Sequence, residues 1–198
     1  ALHRAGKKII LVNCSGSPIG LEPETQKCEA ILQAWYPGQQ GGKAVAEVLF
    51  GDYNPAGKLP VTFYRNVSQL PDFEDYNMTG RTYRYMQDVP LFPFGYGLSY
   101  TTFGYGKTVL DKNELTAGQS LKLTVPVTNT GKRNGEEVVQ VYLRKQGDAE
   151  GPIKTLRAFK RVSIPAGKTV NVEFDLKDKE LEWWDDQSNT CLLYTSPS

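Results

Sequence analysis

Apolar residues follow two different patterns in the two halves of the chain. In the first half they cluster in two short runs, within residues 8–14 and 30–35. Such runs are typical of parallel strands that are covered on both faces. Residues 40–50 place apolar side chains on one face of a helix, and residues 58–63 are predicted to form a third strand. The order strand, strand, helix, strand predicts the last part of an α/β layered domain, and we expect the rest of that sheet to lie upstream.

From Leu110 onwards apolar residues alternate with polar ones. This period of two runs through residues 121–128, 139–143 and 170–176, with turn-forming residues between them. Several short alternating strands separated by turns predict an antiparallel β-sandwich. Pro126 has no backbone N–H to donate, which indicates that its strand lies at the edge of a sheet.

Composition and charge argue against several kinds of binding partner. The chain has 198 residues and a formal net charge of +1, which argues against nucleic acid or an anionic membrane as a partner. No apolar run approaches the ~20 residues that span a bilayer. The cysteines Cys14, Cys28 and Cys191 show no metal-ligand spacing, and a single histidine, His3, cannot form a metal site alone. We therefore expect neither a metal nor another cofactor.

The stretch 78–103 is unusually aromatic for a connecting segment. It contains seven Tyr or Phe residues, two arginines, three glycines and two prolines. Ring surface of this extent needs a partner to pack against, because leaving it in water is unfavourable. Together with Ala-Trp-Tyr-Pro-Gly-Gln-Gln-Gly-Gly-Lys at 34–43 and Gly-Asp-Tyr-Asn-Pro-Ala-Gly-Lys-Leu-Pro-Val-Thr-Phe at 51–63, it resembles the carboxy-terminal part of glycoside hydrolase family 3.

This resemblance implies a domain plan. Residues 1–70 would be the carboxy-terminal part of an α/β sandwich domain, and residues 71–103 an aromatic inter-domain connector. Residues 104–190 would form a truncated fibronectin type III-like domain. Residues 191–198 fit nothing before them and resemble translated sequencing-adaptor sequence, so we expect a non-native tail there.

The resemblance also implies an activity for the parent protein. Members of this kind are exo-acting retaining β-glycosidases, β-xylosidases or β-glucosidases, that hydrolyse terminal sugars of plant oligosaccharides. Their nucleophilic aspartate lies on an amino-terminal barrel domain, and their acid/base glutamate would precede Ala1. No position of this chain is therefore assigned as a catalytic residue of the family, and the chain alone is expected to be inactive. The parent is expected to be periplasmic or secreted, and residues 72–76 followed by 80–85 favour the xylosidase-like branch.

One acidic cluster is a possible catalytic site. Asp72, Glu74 and Asp75 lie beside aromatic residues, and such surroundings raise the pKa of a carboxyl group towards that of a general acid. The alternative is a solvated connector whose charges pair with Arg81 or Arg84. The connector interpretation is preferred, because the family does not place its acid/base group here.

The connector rings also allow two interpretations. They could stack on sugars, or they could pack two domains together, and packing is preferred because prolines and glycines interleave the rings. The rings in question are Tyr83, Tyr85, Phe92, Phe94, Tyr96 and Tyr100. Arg81 and Arg84 could likewise contact substrate or pair with the acidic cluster. No substrate-binding residue is assigned.

A group of glycines before the predicted helix is a weak signal for a phosphate-binding loop. Gly38, Gly41 and Gly42 are not followed by the Lys-Ser/Thr that such a loop requires.

The competing function for the chain is a non-catalytic module, in which the sandwich binds glycan or braces the hydrolase. Glycan binding would need an exposed aromatic platform, and only Trp183 and Trp184 offer one.

Overall fold

A computed structural model describes residues 1–116, 118–183 and 191–192. The chain divides into two compact units. The first unit comprises Ala1–Tyr53 and Lys58–Gly97, and the second comprises Asn54–Gly57 and Leu98–Ser198. The aromatic stretch up to Gly97 therefore belongs to the same unit as the α/β elements.

The first unit is built on one parallel strand pair. Strands β1 (Ile10–Asn13) and β2 (Ala30–Gln33) pair in parallel, with the short helix α1 (Glu22–Thr25) between them in sequence. Helix α2 (Gly41–Phe50) follows and ends at Gly51, whose φ of 83° suits a residue without a Cβ. The α/β prediction for this half is confirmed, but the expectation that both faces of the strands are covered is not met within this chain, since no residue of β1 or β2 is fully buried.

The third strand predicted at 58–63 does not form. Its residues instead run antiparallel to residues 91–96 through scattered bonds: the Leu59 N–H donates to the Tyr96 carbonyl (2.8 Å) and the Phe63 N–H donates to the Phe92 carbonyl (2.9 Å). Pro60 and Pro93 interrupt this pairing because neither has an N–H to donate. Short helices lie on either side of the acidic segment, at Val67–Gln69 (3₁₀) and Thr82–Tyr85 (α3), and another 3₁₀ turn occurs at His3–Ala5.

The second unit is an antiparallel sandwich, as the alternation predicts. Its strands are β3 (Phe103–Tyr105), β4 (Val109–Leu110), β5 (Leu121–Asn129), β6 (Gly135–Leu143), β7 (Thr155–Ile164) and β8 (Thr169–Leu176). One sheet has β5 paired with β3, β4 and β8, and the other pairs β6 with β7. The chain continues into α4 (Asp178–Leu181) and β9 (Glu182–Trp183).

Apolar side chains from both sheets form one core. The buried members come from β5, β6, β7, β8 and α4; they are Leu123, Val125, Val127, Val139, Ile164, Val172, Phe174, Leu176 and Leu181. The alternate residues of β5 and β8 supply most of this core, so the period of two correctly identifies which face is buried.

Pro126 does not mark an edge strand, which corrects the prediction. Strand β5 pairs with β8 along one side and with β3 and β4 along the other. The Pro126 carbonyl accepts from the Gly106 N–H (2.8 Å), and a strand residue directs its N and O to the same side. The missing N–H of Pro126 therefore faces the break between β3 and β4, where no ladder bond is lost.

Replacing Gly106 with alanine should destabilise the sandwich. A Cβ built at Gly106 would lie 2.6 Å from Pro126 Cγ, and a proline ring cannot rotate away. We expect Gly106→Ala to lower the free energy of unfolding by about 1–3 kcal/mol, the usual cost of overpacking. Gly57→Ala is the matched control, because a Cβ there meets nothing within 4 Å. Urea unfolding measures both, and an unchanged midpoint for Gly106→Ala would contradict the packing account.

The expected non-native tail lies mostly outside the described residues. Within it, Cys191–Leu192 (β10) pair antiparallel with β9, Cys191 opposite Trp183 and Leu192 opposite Glu182. Among the described residues no helix has the length and apolar character needed to cross a membrane.

Candidate functional site

The aromatic side chains of the first unit pack on one another. Phe63 is only 1% exposed, and its ring meets Trp35 and Phe92 edge to face, with centroids 6.1 and 6.4 Å apart. Phe92 stacks on Tyr96 at 5.3 Å. Pairs of this geometry add about 0.5–1.5 kcal/mol each beyond the area that they bury. This cluster therefore stabilises the first unit.

The other connector rings are also engaged in their own units. Tyr83 stacks on Phe94 at 4.2 Å in the first unit, and Arg84 lies 5.7 Å from the Tyr85 ring centroid. In the second unit Arg133 lies 5.7 Å from the Tyr100 ring. These contacts favour packing over sugar stacking for the rings concerned.

Trp35 adopts an unusual backbone conformation just after strand β2. Its φ is 56°, in the left-handed region that costs a non-glycine residue about 1–2 kcal/mol. The contact between the Trp35 and Phe63 rings holds this conformation. The next residue, Tyr36, is exposed, yet its ring covers Gly16, where a Cβ would come within 2.4 Å of Tyr36 Cε2.

Polar side chains converge at the carboxyl ends of β1 and β2, the edge at which ligands bind in open α/β sheets. Asn13 Nδ2 donates to Ser15 Oγ (2.9 Å) and to Gln33 Oε1 (2.5 Å). Gln33 Nε2 in turn donates to the Ser15 carbonyl (3.2 Å). These groups bind one another, so the network joins the two strand ends and the loop after β1.

The acidic segment is held by turns and by Arg81. The Asp72 carboxylate accepts the Glu74 N–H (3.0 Å), and the Asp75 carboxylate accepts the Asn77 N–H (2.9 Å). Arg81 does not bind these carboxylates as the sequence suggested. It donates to the backbone carbonyls of Asp72, Asp75 and Asn77. Carboxylates that accept backbone N–H groups in this way stabilise turns.

Packing accounts for Gly41, one of the three glycines at the start of α2. Gly41 is buried as the first residue of the helix, and a Cβ there would lie 2.6 Å from Pro37. The close approach of helix and loop therefore requires glycine at this position.

Trp183 is a core residue and not a binding platform. Its side chain is 5% exposed, and the Arg157 guanidinium carbon lies 5.3 Å from its ring centroid while Arg157 Nη2 donates to the Glu182 carbonyl (2.6 Å). The second candidate, Trp184, lies outside the described residues. The exposed aromatic surface suggested by the sequence is thus not present at Trp183.

Sequence reasoning missed one buried carboxylate. Glu137 is buried on β6, and its Oε1 accepts a hydrogen bond from the Tyr105 hydroxyl (2.9 Å). Burial, followed by the charge of Glu137, raises the pKa of Tyr105 well above its usual value. No sequence signal marked Glu137, because a polar residue at an inward position looks like an irregularity of the alternation. Across the described residues, no three His, Cys, Asp or Glu side chains are grouped as metal ligands.

Comparisons with known proteins agree with this architecture. Residues 1–100 match the Glycosyl hydrolase family 3 C-terminal domain, and residues 137–195 match the Fibronectin type III-like domain. The chain is 58% identical over 190 residues to a xylan 1,4-β-xylosidase of Xylanibacter ruminicola, covering 96% of this chain and 22% of the relative. It is 40% identical to a periplasmic β-glucosidase of Salmonella typhimurium, covering 94% of this chain and 26% of that protein.

A solved structure shows the same fold. A β-glucosidase of Erythrobacter marinus superimposes with a TM-score of 0.83 at 41% identity, covering 96% of this chain and 26% of that one. The chain thus spans about a quarter of the length of the relatives that it matches. Since the C-terminal domain profile covers residues 1–100 and the sandwich matches the fibronectin type III-like domain, this chain belongs to glycoside hydrolase family 3.

Proposed function

We propose that this chain is the carboxy-terminal part of an exo-acting retaining β-glycosidase. The parent would be a β-xylosidase or β-glucosidase that removes terminal sugars from plant oligosaccharides. The observation that carries this proposal is the match to a xylosidase and a glucosidase along 96% and 94% of this chain. A periplasmic or secreted parent is supported by the Salmonella relative, which is named periplasmic.

We further propose that the catalytic groups lie in the part of the parent outside this chain. A retaining glycosidase needs two carboxyl groups about 5–5.5 Å apart, one as nucleophile and one as acid/base. The candidate carboxylates of this chain make structural hydrogen bonds instead: Asp72 and Asp75 accept backbone N–H groups, and Glu137 is bound to Tyr105 in the sandwich. The burial of Trp183 supports a bracing sandwich over a glycan-binding one.

Two proteins test this proposal together. The first is the 198-residue chain alone, which should not turn over nitrophenyl xyloside or glucoside above a buffer control. The second, which we call the joined protein, is the Xylanibacter xylosidase with its 190 matched residues replaced by this chain. The joined protein should hydrolyse one of the two substrates.

The control for the joined protein is the xylosidase cut before the matched residues, which should be inactive. Turnover by the isolated chain would overturn the inactivity proposal. A folded joined protein without activity on either substrate would overturn the assignment to a β-glycosidase parent.

A further inference from the structure

One segment of the first unit, residues 67–89, exposes several large apolar side chains. Phe73 and Tyr76 are 93% and 88% exposed. Their apolar neighbours along the same segment are exposed too: Val67, Leu70, Met78 and Val89. A Phe or Tyr buries roughly 150–250 Å² when covered, so these two rings alone leave a sizeable apolar area in water.

The backbone that carries these rings is nevertheless fixed. Arg81 binds three carbonyls on the segment 72–77. The carbonyl of Val89 accepts from Arg65 Nε (3.2 Å) and Gln69 Nε2 (3.3 Å), which ties residues 65–69 to residue 89. A surface whose backbone is already ordered loses little further entropy when a partner binds.

Several large apolar side chains left exposed on one segment point to an interaction site. Phe, Tyr and Met are enriched in the centres of interfaces, where charged residues are depleted, and charged residues lie at the rim. Here the exposed carboxylates of Asp72 and Glu74 flank Phe73. Electrostatic complementarity therefore requires a partner with apolar residues at the centre and lysine or arginine beside them.

We propose that this surface, residues 67–89, docks onto the part of the parent polypeptide that precedes this chain. The inference rests on the proposed function, which makes the chain about a quarter of a longer protein. Most of that protein then lies outside this structure and is permanently tethered to it. A second copy of this chain fits less well, because a two-fold interface would set the acidic residues of one copy against those of the other.

Hydroxyl-radical footprinting read by mass spectrometry tests the docking without any substitution. The oxidation rates of Phe73 and Tyr76 are compared between the isolated chain and the joined protein. We expect both rates to fall several-fold in the joined protein, towards that of buried Phe63. Phe159, 68% exposed on the sandwich, is the internal control and should keep its rate.

Equal rates for Phe73 and Tyr76 in the two proteins would overturn the proposal, and so would protection of these rings in the isolated chain by xylo-oligosaccharide. Mixing the chain with the separately purified amino-terminal part gives the same readout without a covalent joint. Activity plays no part in this measurement. A protected but inactive joined protein would contradict the proposed function alone, and an active, unprotected one would contradict the docking alone.

A double substitution gives an independent readout. Phe73→Ser with Tyr76→Ser should lower the melting temperature of the joined protein and leave that of the isolated chain unchanged, because the rings contact little within it. Phe159→Ser should leave both temperatures unchanged. Equal melting temperatures of the joined protein with and without the double substitution would count against the docking surface.

Discussion

Replacing Trp183 with alanine should lower the free energy of unfolding of the chain by about 3–5 kcal/mol, the usual cost of removing a buried Trp. The ring is 5% exposed and lies beside the Arg157 guanidinium, so its loss leaves a cavity and removes a cation–π contact. Urea unfolding followed by far-UV circular dichroism measures the effect.

Phe159→Ala is the matched control for Trp183→Ala. Its ring is also aromatic and on a strand of the sandwich but largely exposed, so its removal should change stability by less than about 0.5 kcal/mol. A near-neutral Trp183→Ala, combined with weaker binding of xylo-oligosaccharides, would restore the platform interpretation that burial argues against.

Asn129→Ala should lower the free energy of unfolding by a similar amount, about 3–4 kcal/mol, because the Asn129 side chain is completely buried. Its Oδ1 accepts from the Thr101 hydroxyl (2.6 Å) and the Gly131 N–H (3.1 Å), and its Nδ2 donates to the carbonyls of Arg133 (2.7 Å) and Ile164 (2.9 Å). Alanine would leave these four groups without their partner, and the two whose bonds are fully buried, the Thr101 hydroxyl and the Ile164 carbonyl, would each cost about 1–3 kcal/mol.

Asn171→Ala is the control for this second substitution. Asn171 lies on β8 opposite Pro126, and its side chain is exposed. The same chemical change there should be nearly neutral. Equal urea midpoints for the two variants would show that the hydrogen bonds of Asn129 contribute nothing net to stability. The interpretation that Asn129 joins β5 to β7 and to the loop after β5 would then be wrong.

The sequence predicted the elements in which one pattern dominates. Short runs of apolar residues indicated the parallel pair of β1 and β2, and strict alternation indicated β5 and β8 with their buried faces. Prediction failed where tertiary context decides. Pro60 has no N–H to donate, so the strand-like residues 58–63 make only a few separate backbone hydrogen bonds. Pro126 is tolerated in the central strand β5 because the chain beside it is interrupted between β3 and β4. Strand β7 was not predicted, since Arg157 and the later basic residues obscure its alternation.

The candidate site was predictable to a smaller extent. Aromatic content identified a packed segment, and the pairings of Phe63 and Phe92 agree with that interpretation. It could not separate rings that pack, such as Phe63, from rings that remain exposed, such as Phe73, because the burial of a ring depends on its tertiary contacts. The hydrogen bond from the Tyr105 hydroxyl to buried Glu137 joins residues 32 positions apart, and no local pattern marks such a contact.

The central claim is that this chain supplies structure and no catalytic group, and one measurement tests it most directly. The joined protein is prepared with Asp72→Asn, Glu74→Gln and Asp75→Asn together, since amide oxygens can still accept the backbone bonds that these carboxylates make. On whichever nitrophenyl glycoside the joined protein hydrolyses faster, we predict a kcat within about twofold of the unsubstituted protein, because no proton transfer would depend on these groups. A loss of about 10²–10⁴-fold, the contribution typical of a general acid or base, in a variant that keeps the footprint of Phe73 and Tyr76, would contradict the claim and place the chemistry in this chain.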